Sequence, residues 1–341
     1  MKLLSVDRIP PNSRVILRMD LDVPISEGTV TDNSRLKKSL LTIKLLLERE
    51  CLIIILGHRG RPEGRDESLS LRPVYAELMS ILEEGGQDVV RSVFVDEVNN
   101  REKIAKAMES SSIIFMENLR FWAGEREGND SFLGAVKEVS QYFVNDALAT
   151  AHRKDASMML GSKMSAFYGL SFVEEVEKWE KIRENPKRPL VIILGGAKKD
   201  KLDYLPELEK IADKVLIGGK LIAMVSEADL RKEKVVVGML SETGLDVAEK
   251  SVARFKEELV GAKTVIWAGA LGKFEEEAGR RATAEIANYL GSLEIDWVVA
   301  GGETMASLKN LESSRRIDVV ITGGGVFLEY LTKGTLPTIE E

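Results

Sequence analysis

The stretch LIIILGHRGRP, residues 52–62, decides the fold class. Its first five residues are all apolar, and no polar residue alternates with them. A run of this length is typical of a strand that is buried on both faces, as in a parallel sheet. The glycine, histidine and arginines that follow at once would then lie beyond the carboxyl end of a strand, where open parallel sheets bind their ligands.

Similar apolar runs recur along the whole chain, with helical patterns between them. This alternation indicates βαβ units and parallel sheets. We therefore predict an α/β fold with two Rossmann-like parallel-sheet domains joined by a hinge helix. The predicted strands lie at 14–19, 52–56, 92–95, 112–116 and 142–145 in the first half, and at 190–194, 214–217, 234–237, 264–267, 297–300 and 318–321 in the second.

The division into domains follows from length and from one charged segment. A chain of 341 residues exceeds what a single hydrophobic core usually serves. Ser171 and Glu174 form a capping-box pattern, and the helix that they begin must end before Pro186. This helix is interpreted as a hinge, with one more packed surface helix as the alternative. The predicted parts are 1–157, the hinge helix and linker 158–189, 190–322, and a C-terminal segment 323–341.

The composition excludes several functional classes. A net charge of −7 argues against bulk electrostatic binding of nucleic acid. The single cysteine, Cys51, excludes an intrachain disulfide framework and a cysteine-rich zinc site. The longest apolar runs have about five residues, which is far below a membrane span. The N-terminus has too short an apolar stretch for a signal peptide, so the expected location is the cytoplasm.

Polar and basic side chains follow the predicted strands of the first half. They are Asp20 and Asp22 after the first strand, His58, Arg59 and Arg61 after the second, Arg120 after the fourth, and His152 and Arg153 after the fifth. The guanidinium group is a rigid fork of donors that matches carboxylate and phosphate. Arginines converging from several strands would bind a small polyanion or neutralise the charge on a transferring phosphoryl group.

The predicted strands of the second half end in glycine instead. The turns are GGAKKDK (195–201), GG (218–219), WAGALG (267–272), GGET (301–304) and TGGG (322–325). Glycine lets backbone N–H groups approach phosphates, and the helices that follow favour anions at their N-termini. Five such turns favour a nucleotide-binding face. The chain has neither a Walker A nor a GxGxxG pattern, so a kinase of another type that acts on a small anion fits best.

At these motifs the sequence resembles the phosphoglycerate kinase family. The motifs RVILRMDLDVP (14–24), DNSRL (32–36), GHRGRP (57–62), ENLRF (117–121), VNDALATAHR (144–153), ILGGAKKDK (193–201), VIWAGALGKFE (265–275), GGET (301–304) and TGGGVFLEYLTKGTLP (322–337) occur in the family's order. The resemblance implies glycolytic transfer of a phosphoryl group from 1,3-bisphosphoglycerate to ADP, with Mg²⁺, giving 3-phosphoglycerate and ATP. We also expect small-molecule partners only, with no nucleic acid and no membrane, and a monomer.

The resemblance gives each half a role. The first domain would bind phosphoglycerate, the second would bind nucleotide, and 323–341 would return to the interdomain region. The phosphoglycerate residues would be Asp20, Asp22, Arg35, His58, Arg61, Arg120 and Arg153. Arg35, Lys198 and Gly302 would be catalytic. The nucleotide residues would be Gly196, Lys198, Lys201, Gly218, Gly219, Gly269, Glu275, Gly301, Gly302, Glu303 and Thr304, and Glu303 would also hold the metal.

The sequence departs from the family mainly in this nucleotide half. The family has asparagine and proline at Ala268 and Ala270, aspartate at Glu303, and serine at Ile321, and it spaces Lys198 and Lys201 one residue further apart. In the first half it has asparagine at Asp22. One alternative is therefore a diverged, weakly active or inactive paralogue that binds phosphoglycerate as a regulatory or interaction protein. An acyl-phosphate kinase for another carboxylate is the third candidate, which the intact arginine set disfavours.

Overall fold

The computed structural model describes residues 3–85 and 91–339. The chain forms two compact units, and the predicted α/β class with two parallel sheets is confirmed. The first unit runs to Glu177 and takes in the residues from Leu336 onward, and the second runs from Lys178 to Thr335. Among the described residues, no helix combines the length and the apolar character needed to cross a membrane.

The first unit is built on a six-stranded parallel sheet. Its strands and a small hairpin are β1 (Arg14–Met19), β2 (Ile25–Ser26), β3 (Thr29–Val30), β4 (Leu52–Leu56), β5 (Ser92–Val95), β6 (Ile113–Met116), β7 (Tyr142–Asp146) and β8 (Ser165–Tyr168). The sheet order is β5-β6-β4-β1-β7-β8, and β2 pairs with β3 antiparallel. The helices are α1 (Ser34–Lys38), α2 (Leu40–Glu48), α3 (Arg72–Glu84), α4 (Arg101–Ser110), α5 (Ala123–Glu127), α6 (Gly134–Val139) and α7 (Leu170–Glu184).

Both faces of this sheet are buried, as the continuous apolar runs predict. Val15 and Leu17 of β1 pack into one hydrophobic cluster, whereas Ile16 between them packs into another. Strand residues alternate between faces, so a strand with a core on each side is apolar at most of its positions. The carboxyl ends of the strands are the positions where polar side chains begin.

The second unit repeats this architecture. Its strands are β9 (Leu190–Leu194), β10 (Lys214–Ile217), β11 (Val235–Val237), β12 (Thr264–Ala268), β13 (Asp296–Ala300) and β14 (Val319–Ile321), in the order β11-β10-β9-β12-β13-β14. Its helices are α8 (Leu205–Ile211), α9 (Glu227–Leu230), α10 (Glu249–Glu258), α11 (Arg281–Gly291), α12 (Gly302–Leu308) and α13 (Gly324–Lys333). All strand pairs are parallel, and Trp267 stacks on Trp297 across β12 and β13 with 6.4 Å between ring centroids.

Each predicted strand is present with ends within one residue of the prediction. The sequence reasoning missed β8, which pairs with β7 and draws 158–168 into the first unit. The first unit therefore extends past the predicted limit at residue 157. The segment 323–341 also divides, because α13 belongs to the second unit whereas the residues from Leu336 onward belong to the first.

The chain passes from the first unit to the second within α7. The helix ends at Glu184, before Pro186 as predicted, and its apolar residues Phe172, Val176 and Trp179 are buried. It begins one residue before Ser171, so the capping-box prediction is wrong. The Ser171 hydroxyl instead donates a hydrogen bond to the carbonyl oxygen of Lys38 at 2.6 Å.

Candidate active site

A cluster of cationic side chains lies at the carboxyl ends of the strands of the first sheet. Burial lowers the pKa of His58 far below its usual range, and four arginine charges lower it further. The four arginines are Arg18, Arg120, Arg153 and Arg35. Burial lowers the pKa of Arg153 as well, and the charges of Arg120 and Arg61 add to this lowering. The structure thus brings together the basic residues that the sequence predicts as one site.

Arg120 is firmly held within this cluster. Its side chain is buried, and Nη1 donates to the carbonyl oxygen of Gly60 at 2.6 Å. Its Nη2 forms an ion pair with Asp155 Oδ2 at 3.2 Å. Its buried Nε has no hydrogen-bond acceptor in the described part of the chain. A guanidinium fixed in this way loses little conformational entropy when it binds an anion.

The loop that carries His58 and Arg61 is held by Asn118, which the sequence reasoning left without a role. Asn118 Oδ1 accepts from the backbone N–H groups of Arg59 and Arg120, each at 3.2 Å. Its Nδ2 donates to the carbonyl oxygens of Arg59 at 2.7 Å and Leu69 at 2.9 Å. The available signal was its place directly after a buried strand, in the motif ENLRF. Asn118 therefore fixes the loop relative to Arg120.

The acidic residues predicted for this site hold the backbone of the same region. Asp20 Oδ2 accepts from the Ala149 N–H at 2.8 Å. Burial raises the pKa of Asp20, while that hydrogen bond and the nearby cations oppose the rise. Asp22 Oδ1 accepts from the Gly60 N–H at 3.0 Å, and its carbonyl oxygen accepts from Arg35 Nη1 at 2.8 Å. A cavity of about 400 Å³ lies beside Asp22, Arg35 and Gly60.

Two further side chains of the first unit were not identified from the sequence. Arg18 is fully buried within β1 although the rest of that strand's buried part is apolar. Asp146, at the end of β7, is also buried, and burial raises its pKa to about 7. An arginine inside an apolar run was the signal for Arg18. Nothing in the sequence shows that Asp146 would be covered.

The glycine turns of the second unit pack tightly against one another. Gly269 has φ +112°, and a Cβ built there would lie 2.1 Å from the Gly195 carbonyl oxygen. Gly196 donates its N–H to the carbonyl oxygen of Ala270 at 2.7 Å. Glycine at these positions is therefore needed for close approach of the turns after β9 and β12. Gly218 and Gly219 are buried in the turn after β10, where Gly219 has φ +61°.

The two predicted lysines have different environments. Lys198 is 67% exposed, and its Nζ lies 3.7 Å from Glu303 Oε1. Lys201 is turned inward, with its Nζ donating to the carbonyl oxygens of Gly195 at 2.9 Å and Ala268 at 3.0 Å. Burial lowers the pKa of Lys201 to about 8. Lys198 is therefore the lysine of this pair that is open to solvent.

The GGET turn also contains both buried and exposed residues. The buried Thr304 hydroxyl accepts from the Gly269 N–H at 2.7 Å and donates to the Ala300 carbonyl oxygen at 2.8 Å. Gly301 has φ +103°, and a Cβ on Gly302 would meet no atom within 4 Å. Glu303, in the first turn of α12, is 75% exposed. Glu275 is exposed as well, in the loop before α11.

The donor set of the second unit is consistent with magnesium bound together with a phosphate ligand. Mg²⁺ is usually bound by one or two carboxylates and completed by phosphate oxygens and water. Glu303 supplies one exposed carboxylate beside the open backbone of Gly302. No group of three or more histidine, cysteine or acidic side chains that could hold a metal occurs in residues 3–85 and 91–339. The chain's own residues thus suit a shared metal site rather than an all-protein cage.

The family model and the individual relatives that match this chain all belong to the same family. The phosphoglycerate kinase family model matches residues 7–237 and 224–334. The chain is 32% identical to the phosphoglycerate kinase of Finegoldia magna over an alignment of 382 positions that covers 96% of each chain. It is 33% identical to that of Borrelia turicatae over 380 positions, covering 96% of this chain and 95% of the relative. Both alignments exceed 341 positions, so these relatives contain segments that this chain lacks.

Solved structures agree with this result. The phosphoglycerate kinase of Coxiella burnetii superposes with a TM-score of 0.78 at 27% identity, covering 99% of this chain and 98% of the other. The enzyme of Pyrococcus horikoshii gives a TM-score of 0.74 at 23% identity, covering 98% and 97%, which concerns the fold alone. The alternative of an inactive paralogue that only binds phosphoglycerate finds no support in these similarities.

Proposed function

The chain belongs to the phosphoglycerate kinase family, and we propose that the arginine cluster of its first unit holds the phosphoglycerate. The protein is a phosphotransferase with a carboxyl group as acceptor, which moves a phosphoryl group reversibly between 1,3-bisphosphoglycerate and ADP. Its assigned substrate residues are Asp20, Asp22, Arg35, His58, Arg61, Arg120 and Arg153. The glycine turns and Lys198 of the second unit hold the nucleotide.

One observation carries the assignment of the anion site. Burial lowers the pKa of Arg153, and the nearby charges of Arg120 and Arg61 lower it further. Arg153 is partly exposed to solvent. Cations gathered at the end of parallel strands are stabilised by an anionic ligand that neutralises their repulsion. A carboxylate with a phosphate group, as in 3-phosphoglycerate, is a ligand of that charge.

The transfer needs positioning and charge neutralisation more than covalent chemistry. Arg35 is exposed on α1, and its Nη1 donates a hydrogen bond to the Asp22 carbonyl oxygen. In this proposal its positive charge stabilises the phosphoryl group during the transfer. Lys198 of the second unit supplies a further exposed cation. Thr304 and Lys201 stabilise the glycine turns, because their hydrogen bonds are made to backbone groups of those turns. The turns of the proposed nucleotide face are formed by Gly196, Gly218, Gly219, Gly269, Gly301 and Gly302. Glu275 supplies a carboxylate for the ribose.

We also propose that Glu303 is the protein ligand of the nucleotide's magnesium. When bound, Mg²⁺ neutralises phosphate charge and orients the phosphate chain. The exposed carboxylate of Glu303 next to Lys198 supports this role, since both side chains can follow a ligand. The proposed setting is the cytoplasm, where a monomer would act on soluble small molecules without a nucleic-acid partner.

Calorimetric titration with 3-phosphoglycerate and, separately, with Mg-ADP tests these assignments. Arg153→Gln should weaken 3-phosphoglycerate binding at least tenfold, as expected for about 1.5–3 kcal/mol per charge-assisted hydrogen bond, and leave Mg-ADP binding intact. Arg126→Gln, an exposed arginine on α5 of the same unit, is the matched control and should change neither. Unchanged affinity in Arg153→Gln would move the anion site away from this cluster.

A further inference from the structure

Arg18 is an arginine in the middle of a buried strand, and it contacts one of the proposed substrate residues. Its Nη2 lies 2.6 Å from Nδ1 of His58. Its Nε donates to Ser157 Oγ at 2.8 Å, and Nη1 donates to the Met19 carbonyl oxygen. Because its side chain has no exposed surface, Arg18 itself does not touch a ligand.

Three carboxylates compensate the charge of Arg18, and Glu125 has the largest effect among them. Glu125 is fully buried and raises the pKa of Arg18, opposing the larger lowering by burial. The Glu125 carboxylate accepts from the Ser157 N–H at 2.9 Å and from the Ser157 hydroxyl at 2.6 Å. Arg18, Ser157 and Glu125 thus form one connected buried network. Such a network holds the Arg18 guanidinium in a single orientation.

The chemistry of the two groups decides which imidazole nitrogen carries the proton. A guanidinium has five N–H donors and no acceptor, so His58 Nδ1 must accept the hydrogen bond with its lone pair. An imidazole that accepts at Nδ1 is neutral and carries its single proton on Nε2. A ring protonated on both nitrogens would place two N–H groups face to face.

The surroundings of His58 favour the same neutral state. The charged groups that face it are Arg18 from β1, Arg35 from α1, Arg120 from the turn after β6, and Arg153 from the turn after β7. All are cations, and burial adds to their effect, so the pKa of His58 lies far below its usual range. The carboxylates of this region raise the pKa of Arg18; they are Glu125, Asp20 and Asp155.

We propose that Arg18 is a positioning residue which fixes His58 as the neutral Nε2–H tautomer, so that His58 offers the anionic substrate an N–H donor. The other tautomer would turn a lone pair toward the same place and repel an anionic oxygen. Arg18 therefore determines whether His58 attracts or repels the phosphoglycerate. The proposal rests on the proposed function, in which His58 belongs to the phosphoglycerate site.

Nitrogen-15 NMR of the histidine-labelled full chain tests the tautomer directly. The chain has two histidines, His58 and His152, so His152→Gln leaves only the signals of His58. We expect the long-range proton–nitrogen pattern of a neutral Nε2–H ring, unchanged between pH 8 and pH 5. A neutral Nδ1–H pattern, or an imidazolium that forms between pH 6 and pH 5, would overturn the proposal. The result in this Arg18-containing protein decides the tautomer whether or not an Arg18 variant folds.

A pair of Arg18 variants tests the consequence for binding. Arg18→Met removes the donor, so His58 should become a mixture of tautomers and 3-phosphoglycerate affinity should fall roughly tenfold. Arg18→Lys keeps a donor for Nδ1 and should restore both the Nε2–H pattern and most of the affinity. Circular dichroism and unchanged Mg-ADP affinity show that each variant is folded. A folded Arg18→Met that keeps a pure Nε2–H ring would contradict a positioning role.

Adding 3-phosphoglycerate separates this inference from the proposed function. Saturation should shift the His58 Nε2–H resonances, because the donor then faces an anionic oxygen. If the ring is the Nε2–H tautomer but 3-phosphoglycerate leaves it unshifted, the assignment of His58 to the substrate site fails. If the ligand binds through the arginine cluster but the ring is the Nδ1–H tautomer, only the role of Arg18 fails.

Discussion

The ammonium group of Lys201 lies 3.0 Å from the carbonyl oxygen of Ala268, at the carboxyl end of β12. The same group lies 2.9 Å from the carbonyl oxygen of Gly195, in the turn after β9. Lys201 therefore links the turn after β9 to the turn after β12 through hydrogen bonds to both. A residue that the sequence predicts as a phosphate ligand thus supports, in this structure, the backbone that is proposed to receive the phosphates.

Replacing Lys201 by methionine should destabilise the second unit. The change leaves the Gly195 carbonyl oxygen without the Lys201 donor, whereas the Ala268 carbonyl oxygen keeps its hydrogen bond from the Gly195 N–H. A buried unsatisfied group costs about 1–3 kcal/mol. Lys198→Met is the matched control, because Lys198 is largely exposed and its loss should change stability by less than about 0.5 kcal/mol. Urea unfolding followed by tryptophan fluorescence measures both. Equal stability of the two variants would refute the supporting role of Lys201.

Asp146 should make stability depend on pH in a direction unusual for aspartate. Burial raises its pKa to about 7, although hydrogen bonds from Ser39 and Thr42 oppose the rise. Between its ordinary pKa and 7, only the folded state holds the proton, so the Asp146 contribution to stability falls as pH rises. The free energy of unfolding of Asp146→Asn, relative to that of wild type, should therefore rise between pH 5 and pH 8 by on the order of 2–3 kcal/mol. A pH-independent difference in urea unfolding would disprove the raised pKa.

Arg35→Ala should lower kcat far more than it weakens 3-phosphoglycerate binding. Its proposed partner charge develops mainly in the transition state, and loss of one such donor typically costs about 10²–10³ in kcat. The side chain is exposed and bonds only to the Asp22 carbonyl oxygen among the described residues, so the fold should survive. Lys37→Ala, an exposed cation on the same helix, should leave kcat unchanged. Steady-state kinetics with a normal kcat for Arg35→Ala would remove Arg35 from the mechanism.

Glu303 should govern affinity for Mg-ADP without affecting 3-phosphoglycerate. Magnesium requires near-ideal octahedral geometry, so changing the carboxylate's reach by one methylene should change Mg-ADP affinity. Glu303→Asp and Glu303→Ala should both shift the magnesium dependence of turnover, and neither should alter calorimetric binding of 3-phosphoglycerate. Glu276→Ala, an acidic side chain in an exposed pair with Lys273, is the control. If both Glu303 variants keep wild-type magnesium dependence, Glu303 is not the metal ligand.

The fold was predictable because its strands are uninterrupted apolar runs such as LIIIL, whose meaning does not depend on distant residues. The strand β8 escaped because no residue of Ser165–Tyr168 is fully buried, and because β7 is the only described strand that pairs with it in the sheet. Its role depends on β7 beside it, which a local pattern does not reveal. The two-residue strands β2 and β3 are too short for any periodicity.

The site was predictable as a set of residues but less so as a set of contacts. The arginines stand out because they directly follow apolar runs. Arg18 was missed because its partner Ser157 is 139 residues away in the sequence. The inward direction of Lys201 depends on the turns that surround it, and spacing alone could not distinguish it from Lys198. Side-chain direction at a turn is set by tertiary contacts, so it becomes visible only in the structure.

The most direct test of the account is the rate of ATP formation by the purified protein from 1,3-bisphosphoglycerate and ADP with magnesium. We expect rapid turnover that saturates with both substrates and falls at least a hundredfold in Arg35→Ala, in the range of single electrostatic donors. Arg126→Gln should match the wild-type rate. A folded protein that binds 3-phosphoglycerate but forms ATP no faster than the same reaction mixture without protein would contradict the central claim.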